Sequence, residues 1–121
     1  MADIERPLSP HLQIYKPQVT SIMSILQRLS GVALFFGLLV LSWGIYAIAQ
    51  QESERFFAFA SSLIGQVFFF GIAWAFIYHL MNGFRYLVWS TGICIRMVSV
   101  KASGMVLFPM SLIVTALLWF Y

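Results

Sequence analysis

Two short stretches of the chain carry the side chains best suited to holding a ligand. The first is Ser24-Ile-Leu-Gln27-Arg28-Leu-Ser30-Gly31, and the second is Tyr78-His79-Leu-Met-Asn82-Gly83-Phe-Arg85-Tyr86. Ser24 and Arg28 stand four residues apart, so a helix puts them on one face. Arg28 keeps its charge and offers five donors in a fork. With the Ser24 hydroxyl it can hold a carbonyl or a carboxylate at a membrane edge. The same spacing also suits a plainer role, in which Arg28 reaches up to lipid headgroups and Ser24 caps the start of the helix.

His79 precedes Arg85 by six residues, about 9 Å along a helix axis at the usual rise. A neutral imidazole at that depth needs a partner, which can be a hydrogen bond to another helix, a metal or a haem iron. Gly83, one turn on, leaves room beside the ring, as a flat macrocycle requires. The second histidine, His11, lies in an N-terminal strip with Pro7, Pro10 and Pro17. A haem held by two histidines would therefore take one of them from another subunit. The lone Cys94 allows no internal disulfide and suggests no cysteine-only metal site.

The elements that must position these groups follow from the charges. Of 121 residues, 61% are hydrophobic and 9% charged, against about 25% charged in an ordinary soluble domain. So little charge cannot cover a soluble surface, and it excludes a disordered chain. Seven Lys and Arg against four Asp and Glu, without a cluster, also exclude a basic nucleic-acid binder. Residues 29–51, 56–84 and 102–121 contain no Asp, Glu, Lys or Arg. About 20 apolar residues cross a bilayer as a helix, and lipid leaves no backbone group unpaired. The fold class expected is an all-α membrane protein with three transmembrane helices. A single domain over 1–121 then comprises an interfacial strip, 1–23, and spans near 25–49, 60–88 and 104–121.

Arg6, Lys16, Arg28, Arg85, Arg96 and Lys101 fall on one side of these spans and Arg55 on the other. The excess of Lys and Arg predicts an N-terminus on the cytoplasmic or matrix side. The opening MADIERPLSP has the acids and prolines of neither a secretory leader nor a transit peptide. Gly37, Gly44, Gly65 and Gly71 are expected to admit close helix contact, and Pro109 to kink the third span mildly. A small proton-coupled transporter would need a carboxylate within the membrane, and all three spans lack Asp and Glu. A purely structural anchor, with its polar residues serving assembly, is the other alternative.

Taken together, Arg6-Pro-Leu-Ser-Pro-His-Leu-Gln-Ile-Tyr-Lys-Pro17, Ser24-x-x-x-Arg28-x-Ser30-Gly31 and His79-x-x-Asn82-Gly83-x-Arg85 resemble the cytochrome b subunit of succinate dehydrogenase. That subunit is the larger membrane anchor of respiratory complex II, and the resemblance runs the length of the chain. It implies three transmembrane helices packed on a second three-helix anchor subunit, with a haem b shared between them. Ubiquinone would be reduced where the anchors meet the iron–sulfur subunit, which receives electrons from a flavoprotein that oxidises succinate. By the same resemblance His79 is the axial haem ligand, and Ser24 and Arg28 line the quinone pocket. Gln27, Arg28, Gly83, Arg85 and Tyr86 are the candidates for the haem propionates or pocket. Family members often carry histidine at the positions of Gln27 and Tyr86, and aspartate at that of Ser90. Gln27 and Tyr86 can still donate hydrogen bonds there. The membrane implied is a bacterial or a mitochondrial inner membrane, and fumarate reduction is not separated from succinate oxidation by these residues.

Overall fold

A computed structural model describes residues 18–93 and 96–121, all helix and short connection. The strip over residues 1–17, His11 within it, and Cys94 lie outside the described residues. The elements in order are α1 (Val19–Ala49), α2 (Glu54–Ser61), α3 (Leu63–Ser90) and α4 (Met97–Phe120). Three of them are long and apolar enough to cross a membrane: Val19–Ala49, Leu63–Ser90 and Val98–Phe120. The chain is a multi-pass membrane protein of the all-α class.

At the ends near Arg28, Arg85 and Lys101 the helices run past the uncharged stretches. α1 begins at Val19, with Gln18 as its N-cap, so Ser24 stands inside the helix and does not cap it. A helix continues past the hydrocarbon edge wherever its backbone can stay paired, and charge does not mark that point. The eight-residue α2 starts in the polar break at Glu54 and runs on to Ser61. α1 closes at Gln51 in the left-handed region, φ 60°. α3 is capped by Ser62, whose Oγ accepts from the Gly65 N–H at 3.1 Å and donates to the Phe59 carbonyl at 2.6 Å. A Cβ at residue 65 would run into that same carbonyl, so the tight α2–α3 corner requires glycine.

Most of the large apolar side chains face outwards, among them Phe35, Phe36, Leu38, Ile64, Val67 and Leu118. Lipid is as apolar as a core, so it accepts them, and outside the Met23, Tyr78 and Leu107 cluster the interior is left to small and polar residues. Gly37 takes the side chain of Ile72 at 2.8 Å from where its Cβ would be, and Gly44 takes the Phe56 ring. Gly71 has no neighbour within 4 Å and does not serve close contact within this chain. Pro109 sits inside an unbroken α4. Beyond it Ser111 and Thr115, at 0% and 1% exposure, return their hydroxyls to the Phe108 and Ser111 carbonyls. Trp74 Nε1 on α3 donates to Ser111 Oγ at 3.1 Å, tying α3 to α4 in mid-membrane.

Candidate functional site

The start of α1, the end of α3 and the start of α4 meet at one end of the bundle. Met23, Tyr78 and Leu107 form the buried apolar cluster there, and Tyr78 OH donates to the Met23 carbonyl at 3.3 Å. Around this cluster runs a continuous polar path. Arg85, buried on α3, donates from Nε to Ser103 Oγ at 2.9 Å and from Nη2 to the Val100 carbonyl at 2.6 Å. Its Nη1 reaches Met23 Sδ at 3.2 Å and Asn82 Oδ1 at 3.0 Å. The Trp89 ring lies 4.1 Å from its Cζ, a cation–π distance. Asn82 Nδ2 donates to Gln27 Oε1 at 3.0 Å, and Gln27 Nε2 donates to the His79 carbonyl at 3.4 Å.

The path ends at the imidazole. His79 Nδ1 lies 3.0 Å from Ser30 Oγ, and that hydroxyl donates to the Gln27 carbonyl at 2.9 Å. Of the partners an intramembrane histidine could take, a hydrogen bond to a neighbouring helix is thus present at one ring nitrogen. The other, Nε2, makes no hydrogen bond among the described residues. Every buried side-chain nitrogen or oxygen among those residues is paired, so Nε2 is not sealed inside the chain. Gly31 packs on the ring, its missing Cβ 3.3 Å from Cε1, while a Cβ on Gly83 would meet nothing within 4 Å. A half-buried imidazole with one nitrogen tied and the other unpartnered among the described residues, one turn from a glycine that leaves its surroundings open, has the chemistry to hold the metal of a flat macrocycle.

The remaining candidates divide. Arg28 is exposed and Ser24 half-buried, and neither side chain makes a hydrogen bond among the described residues. Both stay available to a ligand. By helical phase Gln27 and Gly31 share their side of α1. Tyr86 is half-buried and packs edge-on to Trp89, centroids 5.3 Å apart. Arg85, a candidate for a propionate, is turned inwards with its fork spent on three helices of its own chain, and Gln27 spends its amide on Asn82 and His79. No cluster of three or more His, Cys, Asp or Glu suited to a metal ion occurs among the described residues.

An apolar cavity of about 410 Å³ is walled by α1, α3 and Phe108 of α4, with Leu26, Leu29, Ser30, Ala33, Trp74 and Tyr78 among its lining. Counting about 100° per residue, these α1 positions fall roughly opposite Ser24 and Arg28. The cavity is therefore separate from the face that carries the candidate ligand groups. Ser30 lines the cavity and also contacts His79.

Sequence reasoning gave no individual role to Ser30, Asn82 or Ser103. Asn82 and Arg85 at i and i+3 are a signal for a shared helix face, but the other two are ordinary serines until a neighbouring helix is in place.

The succinate dehydrogenase/fumarate reductase transmembrane subunit family matches residues 2–118. Among curated relatives, the succinate dehydrogenase cytochrome b556 subunit of Rickettsia felis is 38% identical over 115 residues, 95% of this chain and 91% of the relative. That of Paracoccus denitrificans is 34% identical over 124 residues, 97% and 94% of the two chains. The cytochrome b560 subunit of Reclinomonas americana is 32% identical over 129 residues, 97% and 86%.

Proposed function

This chain belongs to the succinate dehydrogenase/fumarate reductase transmembrane subunit family, and from that premise we propose that it is the haem-binding, quinone-binding membrane anchor of a succinate:ubiquinone oxidoreductase. The observation that carries the haem is His79, with Nδ1 held by Ser30, Nε2 open, and space beside Gly83. Haem b, when bound, supplies a one-electron acceptor and donor within the membrane. His79 would hold the haem iron from this chain, and a second three-helix anchor subunit would supply the other ligand. Gly83 and Tyr86 would border the macrocycle. Arg85 and Gln27 are left out of direct contact, because their hydrogen-bonding groups are already spent on the bundle.

Ser24 and Arg28 bind the quinone headgroup on the side where the iron–sulfur and flavoprotein subunits dock. Reduction of ubiquinone adds two electrons and two protons, and its oxygens gain negative charge before they are protonated. The Arg28 guanidinium stabilises that charge, and the Ser24 hydroxyl donates to a carbonyl. Among the described residues Arg28 makes no hydrogen bond, so binding quinone breaks none of the bonds seen there. Succinate itself is oxidised on the flavoprotein, so this chain holds no complete active site. The N-terminus lies on the cytoplasmic or matrix face of a bacterial or mitochondrial inner membrane. That side takes Arg28, Arg96 and Lys101, in keeping with the bias of Lys and Arg.

The purely structural reading is favoured for one group alone. Arg85, Asn82 and Gln27 bond to one another and to α4, and their work is assembly. The whole proposal is tested in the purified complex. His79→Ala should remove the b-type bands from the reduced-minus-oxidised spectrum, and Arg28→Ala should cut quinone-dependent turnover while succinate oxidation with a soluble acceptor persists. A normal bis-histidine spectrum in the first, or unchanged quinone turnover in the second, rejects the corresponding assignment.

A further inference from the structure

Ser30 Oγ lies 2.9 Å from the Gln27 carbonyl and 3.0 Å from His79 Nδ1, and a hydroxyl has a single proton to give. A carbonyl can only accept, and two oxygens 2.9 Å apart with no proton between them repel. The Ser30 proton therefore points at Gln27. The contact with His79 then takes its proton from the ring, so Nδ1–H donates to Oγ. A neutral imidazole carries one N–H, which leaves Nε2 with its lone pair.

We propose that Ser30 is a positioning residue: it fixes His79 in the tautomer protonated at Nδ1 and so presents Nε2 as the electron-pair donor to the haem iron. This rests on the reading of His79 as the axial ligand. Two neighbours on the same turn of α1 restrain the residue further. Gly31 lies against the ring edge, and Gln27 Nε2 holds the His79 backbone carbonyl. A ring that donates through Nδ1–H gains basicity at Nε2, as outer-shell acceptors do for metal-bound histidines. A more basic ligand favours the oxidised iron, so Ser30 lowers the haem potential.

The test is a redox titration of the haem and a low-temperature electron paramagnetic resonance spectrum of its ferric form. Both are measured on the assembled complex with Ser30→Ala, Ser30→Thr and His79→Ala. Alanine is a good helix former and removes one oxygen, so the helix is kept. The expected result for Ser30→Ala is a midpoint potential shifted upwards and an altered ferric spectrum, with Ser30→Thr returning both towards wild type. If His79→Ala loses the b-type bands but Ser30→Ala keeps wild-type potential and spectrum, the positioning role is overturned and ligation by His79 stands. If His79→Ala keeps a normal bis-histidine spectrum, the ligand reading falls, and the positioning role falls with it.

Discussion

Asn82 and Gln27 face each other across the seam between α1 and α3, the amide of one donating to the amide oxygen of the other at 3.0 Å. Asn82 is fully buried and uses its own oxygen to receive Arg85. One side chain thus joins the imidazole end of the polar path to its cationic end.

Replacing Asn82 by leucine leaves Gln27 Oε1 and Arg85 Nη1 short of a partner. Membrane hydrogen bonds measured individually average about 0.6 kcal/mol, while an unsatisfied buried group costs roughly 1–3 kcal/mol. The expected loss is about 1–3 kcal/mol, read as a lower unfolding temperature of the detergent-solubilised complex. A wild-type unfolding temperature would show that the path adds nothing to stability.

Arg85 and Arg28 should respond differently to the same change. Arg85→Lys keeps the charge but cannot reproduce a fork shared among Ser103, Val100, Asn82 and Met23. It should lower assembly yield and thermal stability with little effect on the KM for quinone in the complex that does form. Arg28→Lys should leave yield intact and raise the KM. Swapped outcomes would reverse the two assignments.

A side chain at Gly104 would collide with Met23 Sδ and press on Arg85 Nη2, 3.2 Å away. Overpacking of this kind costs typically 1–3 kcal/mol. Gly104→Val should therefore destabilise the complex, and Met23→Ala in the same chain should recover part of the loss by making room. Thermal unfolding of the two single variants and the double variant checks this: strictly additive losses would contradict the collision.

Gly83 offers the converse case. A Cβ there meets nothing within this chain, so Gly83→Phe should leave membrane insertion unchanged. The space belongs to the proposed macrocycle, so the haem content per complex should fall at least severalfold. A pyridine haemochrome assay decides it, and full haem content would place the macrocycle elsewhere.

The spans were legible because lipid punishes charge: runs without Asp, Glu, Lys or Arg mark them whatever the packing. His79 stood out for the same reason, as a titratable group too deep to be idle. Arg85 and Arg28 were not distinguishable, since both are basic residues at the end of an apolar run. What separates them is helical phase, which turns Arg85 towards α4 and leaves Arg28 outside. Ser30 was invisible as a partner of His79 because a serine in an apolar helix ordinarily satisfies itself on the preceding turn, as Ser30 also does on Gln27. The eight-residue α2 was hidden in what looked like a plain polar loop, its two acids and one arginine drawing the eye from the following Phe-Phe-Ala-Phe.

Arg85 also bears on how the chain is made. Synthesis from the N-terminus delivers α1 and α3 to the bilayer before α4 has left the ribosome. At that moment Arg85 has Asn82 and Met23 to turn to, but neither Ser103 nor the Val100 carbonyl. A nascent hairpin ending at α3 thus carries a cation that its own residues only half satisfy, and the arrival of the last helix completes the coordination. A product truncated before α4 would leave that cation without its Ser103 and Val100 partners.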